Sequence, residues 1–161
     1  MPHILIIDAP YYTHISKSLL EGAEEALKAA GATWEYQAVP GVLEIPAALS
    51  MVVGSMMAQD MAEMDPDFPA LDFGSGHYDG FVTLGCVIRG ETSHYEIVAF
   101  ESARAIMSLT TEYGLALGNG IQTVENEAQA LARADKKQMN KGGHAATAAL
   151  EMVKLREKFL V

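Results

Sequence analysis

The sequence predicts an α/β protein, a three-layer α/β/α sandwich built on a four-stranded parallel sheet. Three observations point there. Short apolar runs alternate with longer segments of helical period, in the order β-α-β-α-β-α-β-α-α. Strands separated by helices in this way pair in parallel, because a right-handed helical crossover returns the chain to the same end of the sheet. Half of the 161 residues are hydrophobic and 20% are charged, enough to cover both faces of such a sheet. With no repeat or linker visible, residues 1–161 are expected to form one domain.

His3–Asp8 reads as a buried strand, apolar through Ile4-Leu5-Ile6-Ile7. After the loop Ala9–Tyr12, Thr13 or Ser16 opens a helix that sets Ile15, Leu19, Ala23, Leu27 and Ala30 on one face, and Gly31 stops it. Thr33–Val39 alternates with the period of a strand. Pro40-Gly41 ends it, and Pro46 suits the first turn of a helix running to about Ala62. Asp65–Tyr78, with its prolines, aspartates and Gly-Ser-Gly, reads as a loop.

Gly80–Ile88 is a third strand, Arg89–Ser93 a polar turn, and about Ser93–Tyr113 a helix closed by Gly114. Leu115–Val124 reads as a fourth strand interrupted by Gly118-Asn119-Gly120. Helices over about Asn126–Ala134 and Asn140–Phe159 complete the chain. Ligands of parallel sheets bind outside the carboxyl ends of the strands. The loops beginning at Ala9, Pro40, Arg89 and Gly118 are therefore expected to build the site.

Eleven basic residues against twenty-one acidic ones give a net charge of −10. Such a chain repels phosphate at long range, so no nucleic acid and no anionic membrane is expected as a partner, and a bound anion would need a local basic pocket. No apolar stretch approaches the ~18 residues of a membrane span. A single cysteine, Cys86, excludes an intramolecular disulfide and a multi-cysteine metal cluster. It favours a reducing compartment. The amino terminus lacks the basic and long apolar parts of a signal peptide, so a cytoplasmic location is expected.

The third loop, Arg89-Gly90-Glu91-Thr92-Ser93-His94, carries most chemistry. It leads from a buried strand into a helix amino terminus, where free N–H groups and the positive dipole end suit an anion. Gly90 permits close backbone approach, and Thr92 or Ser93 can cap the helix or donate to phosphate. His94 beside this turn can move protons near neutral pH. An ordinary capped helix start with a surface histidine is the competing reading. His3, His14, His77 and His144 lack that context and read as structural.

In the second loop Glu44 and exposed amides suit the hydroxyls of a polar ligand, or Glu44 merely favours the helix dipole. Tyr11 and Tyr12 offer a stacking face for a flat heterocycle, or a subunit contact. Arg133, Lys136, Lys137 and Lys141 form the densest basic cluster, and Arg133 has the fork that matches phosphate. Gly142-Gly143 is open between a turn and a close helix contact. Met51, Met56, Met57, Met61 and Met64 point to a core or subunit interface rather than a metal-binding box. Cys86 reads as a small buried hydrophobe.

These residues resemble the lumazine synthase family over nearly the whole chain. The matching stretches are Leu19–Ala23, Val39–Pro46, Gly85–Tyr95, Gly120–Asn126 and Asn140–Gly142, and the run Val-Ile-Arg-Gly-Glu-Thr-Ser-His is the most specific. The resemblance implies a flavodoxin-like fold and the condensation of 5-amino-6-(D-ribitylamino)uracil with 3,4-dihydroxy-2-butanone 4-phosphate. The products would be 6,7-dimethyl-8-ribityllumazine, phosphate and water, formed without a metal or organic cofactor.

Carried over by position, the resemblance implies that Tyr11 stacks on the pyrimidine and that Val42, Leu43 and Glu44 hold the ribityl chain. Cys86, Val87 and Ile88 fall on the strand end whose backbone would read the uracil edge. Glu91 and Thr92 fall at the phosphate turn, His94 at the proton-transfer histidine and Arg133 at the phosphate arginine. Lys141 is a second basic group, and Asn119 falls where many members have a phenylalanine from the next subunit. Tyr12, Leu43 and Asn119 depart from a common asparagine and two common phenylalanines, which motivates the alternative of a weakly catalytic flavin- or lumazine-binding member. A receiver-type signalling domain would need an acidic cluster after strand one, where Asp8 stands alone.

The resemblance further implies a homopentamer with sites between subunits, and coupling to riboflavin synthase. A sixty-subunit shell is the competing assembly. The early first strand and the glycine-free segment Asp135–Met139 are read as disfavouring it.

Overall fold

The computed structural model describes residues 1–65 and 77–159. Nine elements follow one another: β1 (His3–Ala9), α1 (Thr13–Ala29), β2 (Thr33–Ala38), α2 (Glu44–Met64), β3 (Gly80–Ile88), α3 (His94–Tyr113), β4 (Leu117–Val124), α4 (Glu127–Ala134) and α5 (Lys141–Phe159). The four strands form one parallel sheet in the order β2-β1-β3-β4. The expected loop over Asp65–Tyr78 falls mostly outside the described residues.

Side-chain alternation builds a layer on each face. Ile4, Ile6, Val82 and Leu84 point to one side, where Leu19 and Leu27 of α1 and Ala146 and Leu150 of α5 cover them. Leu5, Ile7 and Phe81 point to the other, against Ile45 and Leu49 of α2 and Val98 and Ile106 of α3. The central strands β1 and β3 are buried on both faces, which is why they read as continuous apolar runs. Edge strand β2 is mostly exposed.

The fourth strand corrects the sequence reading. Gly118-Asn119-Gly120 does not interrupt it, and Gly118 opens no loop, because all three residues pair within β4 against Val82, Thr83 and Leu84. The glycines serve packing. A Cβ at Gly118 would overlap the Ala145 carbonyl oxygen, and one at Gly120 would press on Leu84 Cδ2 at 2.8 Å. The carboxyl-end loop after β4 begins at Glu125. Gly142-Gly143 is likewise a close helix contact, since a Cβ at Gly142 would strike the Leu19 carbonyl of α1.

Smaller corrections concern caps. α1 opens at Thr13, one of the two expected positions, with Tyr12 as its cap residue, and Ser16 is buried inside the helix. Ala30 is an exposed cap residue rather than part of the buried stripe. The segment before α5 lacks glycine, yet Asn140 takes the left-handed conformation there at φ 45°. A glycine is therefore not required for that bend.

Candidate active site

The loops after β1, β2 and β3 meet around a pocket of about 640 Å³ at the carboxyl ends of the strands. Tyr11 and Tyr12 come from the first loop. Pro40–Leu43 and Glu44 come from the second, and Cys86, Val87 and Ile88 form the strand end between them. Gly90, Thr92, His94, Tyr95 and Val98 close the third side. Residues far apart in sequence converge because β1 lies between β2 and β3, with Ala9 level with Gly85 and Asp8 level with Ala38.

Each loop is held by local bonds. Tyr11 N donates to the Ala9 carbonyl at 2.8 Å, and the Tyr11 ring meets Tyr12 edge-on at 5.1 Å. Tyr11 is 72% exposed, so its ring face is available. Val39 N donates to the Asp8 carbonyl at 2.8 Å, which fastens the second loop to β1. Val42 turns inward against the sheet, and a Cβ at Gly85 would meet it at 2.9 Å. A Cβ at Gly41 would meet the Glu44 carboxylate at the same distance. Cys86 is buried, and burial pushes its thiol up to about 11, away from thiolate chemistry.

In the third loop Ser93 occupies the cap position of α3 without a side-chain cap bond. The Thr92 hydroxyl instead accepts from His94 N at 3.4 Å. This 20-residue helix begins at the pocket rim, with the exposed His94 as its first residue. A Cβ at Gly90 would meet no described protein atom, and its backbone is not left-handed.

The pocket gathers nine of the expected residues: Tyr11, Val42, Leu43, Glu44, Cys86, Val87, Ile88, Thr92 and His94. Glu91 lies exposed in the same turn without lining it. Asn119, Arg133 and Lys141 do not line it. Asn119 sits exposed on β4, where its Oδ1 accepts from Thr83 Oγ1 at 3.2 Å and from Ile121 N at 2.9 Å. Arg133 lies in the last turn of α4 and donates from Nη1 to the Gln129 carbonyl at 3.0 Å. Lys141 opens α5. Tyr95 and Val98 line the pocket although sequence reasoning assigned them no role. Helical spacing from His94 would have found Val98, four residues on along one face. None of His3, His14, His77 and His144 lines this pocket.

Such a pocket, on the carboxyl edge of a parallel sheet and beside a helix amino terminus with a histidine at its rim, defines an α/β sandwich protein that takes a small polar ligand. The family model described as 6,7-dimethyl-8-ribityllumazine synthase matches residues 2–157. The chain is 50% identical to the 6,7-dimethyl-8-ribityllumazine synthase 1 of Rhizobium meliloti over 97% of this chain and 92% of that protein. It is 50% identical to the 6,7-dimethyl-8-ribityllumazine synthase of Sphingopyxis alaskensis over 99% and 98%, and 49% identical to that of Agrobacterium fabrum over 98% and 96%. The chain belongs to the 6,7-dimethyl-8-ribityllumazine synthase family.

Proposed function

We propose that the protein, acting as a single domain of residues 1–161, condenses 5-amino-6-(D-ribitylamino)uracil with 3,4-dihydroxy-2-butanone 4-phosphate to 6,7-dimethyl-8-ribityllumazine in riboflavin biosynthesis. The observation that carries this reading is the convergence of Tyr11, Glu44, Cys86–Ile88, Thr92 and His94 on one pocket. Tyr11 stacks on the pyrimidine, the backbone of Cys86, Val87 and Ile88 reads its edge, and Val42, Leu43 and Glu44 hold the ribityl hydroxyls. The amides around Glu91 and Thr92 receive the phosphate with Arg133. Open space beside Gly90 supports close approach of a ligand there.

The aromatic amine of one substrate attacks the ketone of the other, water leaves, and phosphate departs as its own leaving group. The ribitylamino nitrogen then closes the second ring with loss of water. His94 moves the protons between these steps. Holding the two reactants together supplies about 7–11 kcal/mol of the barrier, and a positioned acid–base adds roughly 10²–10⁴-fold.

Asn119, Arg133 and Lys141 complete the site of an adjacent chain in a homopentamer. Their position outside a single chain's pocket supports this. So do the exposed apolar side chains Met51, Met57, Met61 and Met64 of α2 and Ile97, Phe100 and Met107 of α3. The enzyme works in the cytoplasm, coupled to riboflavin synthase. No helix among the described residues is long and apolar enough to cross a membrane.

Incubation with both substrates tests the activity: lumazine fluorescence should rise with equimolar phosphate release. Tight riboflavin binding without product would overturn the reading. Light scattering tests the assembly. A particle of about 86 kDa, five copies of the 17.3 kDa chain, is expected, and a monomer or a megadalton particle would overturn it.

A further inference from the structure

We propose that Arg89 is a positioning residue: it ties the first turn of α3, which carries His94, to the segment that opens α4, which carries Arg133. The inference rests on the roles given to those two residues above.

Arg89 follows β3 directly, and its backbone N donates to the Val124 carbonyl at 2.9 Å. Its side chain makes three contacts. Nε donates to Glu125 Oε2 at 2.8 Å, Nη1 donates to Glu96 Oε1, and the guanidinium lies 4.2 Å from the centre of the Tyr95 ring. Tyr95 and Glu96 are the two residues after His94. On the other side, Glu125 N donates to Gln129 Oε1 at 2.9 Å, and Arg133 Nη1 donates to the Gln129 carbonyl at 3.0 Å. A bonded path therefore runs from the histidine turn through Arg89 to the arginine in the last turn of α4.

An exposed ion pair ordinarily contributes little, because water screens it and two long side chains must be ordered. Arg89 differs in kind. One planar fork serves two carboxylates while its face stacks on a ring, so each contact fixes the geometry of the next. Glu96 depends on it, since Glu96 Oε2 is shielded and no described group donates to it. The Arg89 hydrogen bond holds the Glu96 carboxyl below the usual carboxylate range. A lysine at this position would carry the charge but not the fork.

Arg89→Lys, Arg89→Met and Glu125→Gln test the proposal, with Lys154→Met as a control that removes an exposed ion pair on α5. Steady-state kinetics should show kcat falling roughly 10-fold or more in both Arg89 variants, since a misplacement near 1 Å can cost about 10²-fold. The pyrimidine KM should hold. Glu125→Gln, which frees the α4 side alone, should chiefly raise the KM for the phosphorylated ketone, and Lys154→Met should match wild type. In parallel, the His94 ring resonances, identified with His94→Gln, should shift or broaden in the Arg89 variants. Full activity in Arg89→Lys, or unmoved His94 resonances in a folded Arg89 variant, would overturn the proposal. If Arg89→Met does not fold, Arg89→Lys and Glu125→Gln carry the test. If the wild type makes no product, the enzymatic reading falls, and the resonances alone judge Arg89.

Discussion

The Ser16 hydroxyl on α1 donates to Oδ2 of Asp8 at 2.5 Å, joining the carboxyl end of β1 to the helix that follows the first pocket loop. Tyr36 of β2 donates to the same oxygen at 3.1 Å, and the Asp8 carbonyl receives Val39 of the second loop. The Asp8 backbone carbonyl thus fastens the second pocket loop, while the fully buried carboxyl ties β1 to α1 and β2. Its other oxygen has no partner among the described residues. Burial raises the Asp8 carboxyl above its ordinary range, against the lowering effect of the Ser16 and Tyr36 bonds. Burial, followed by the nearby Asp8, pushes the Tyr36 phenol up to about 12.

Asp8→Asn should gain stability relative to the wild type as pH rises. A carboxyl whose folded pKa exceeds its unfolded value near 3.8 binds its proton more tightly when folded. The favourable contribution is complete below that unfolded value and is lost as pH climbs through the folded one. Asparagine cannot ionise and escapes this loss. Urea unfolding of both proteins between about pH 4 and about pH 7 should show the difference in free energy moving in favour of the variant, and parallel curves would refute the assignment.

His94→Ala should lower turnover by roughly 10–10³-fold while binding of the pyrimidine stays nearly intact, because acid–base help is lost and proximity remains. Single-turnover kinetics beside a binding titration separate the two quantities. Wild-type turnover would remove His94 from the mechanism.

Arg133→Ala should weaken handling of the phosphorylated ketone and spare the pyrimidine. A charge-assisted contact of this kind contributes roughly 1.5–3 kcal/mol, so KM for the ketone should rise about 10–100-fold. A fall in pyrimidine affinity instead would show that Arg133 serves another part of the site.

Gly118→Ala should destabilise the fold although it adds one methyl group. The new Cβ would overlap the Ala145 carbonyl, so α5 must move off β4. Overpacking of this sort costs about 1–3 kcal/mol. A thermal midpoint equal to that of the wild type would mean that α5 yields freely.

Local pattern carried much of this structure. Ile4-Leu5-Ile6-Ile7 reads as a doubly covered strand, and the step from Ile15 through Leu19, Ala23 and Leu27 as the inner stripe of a helix, and both hold in the structure. Gly118-Asn119-Gly120 misled, because glycine marks turns and close approaches alike, and only the position of Ala145 distinguishes them. The same ambiguity hid the role of Gly142 until Leu19 was seen against it.

Periodicity in the sequence determined the order of elements and the parallel sheet, and motifs that stay contiguous along the chain carried the family resemblance, which named residues that line the pocket. Only the tertiary structure decided that Asp8, Ser16 and Tyr36 share one buried carboxyl. It alone placed Arg89 between Glu96 and Glu125, and it alone left Asn119, Arg133 and Lys141 outside the pocket. These relations join residues from separate elements. Strand order and helix packing set their distances, and no local pattern in a chain encodes the separation of side chains that meet only after it has folded.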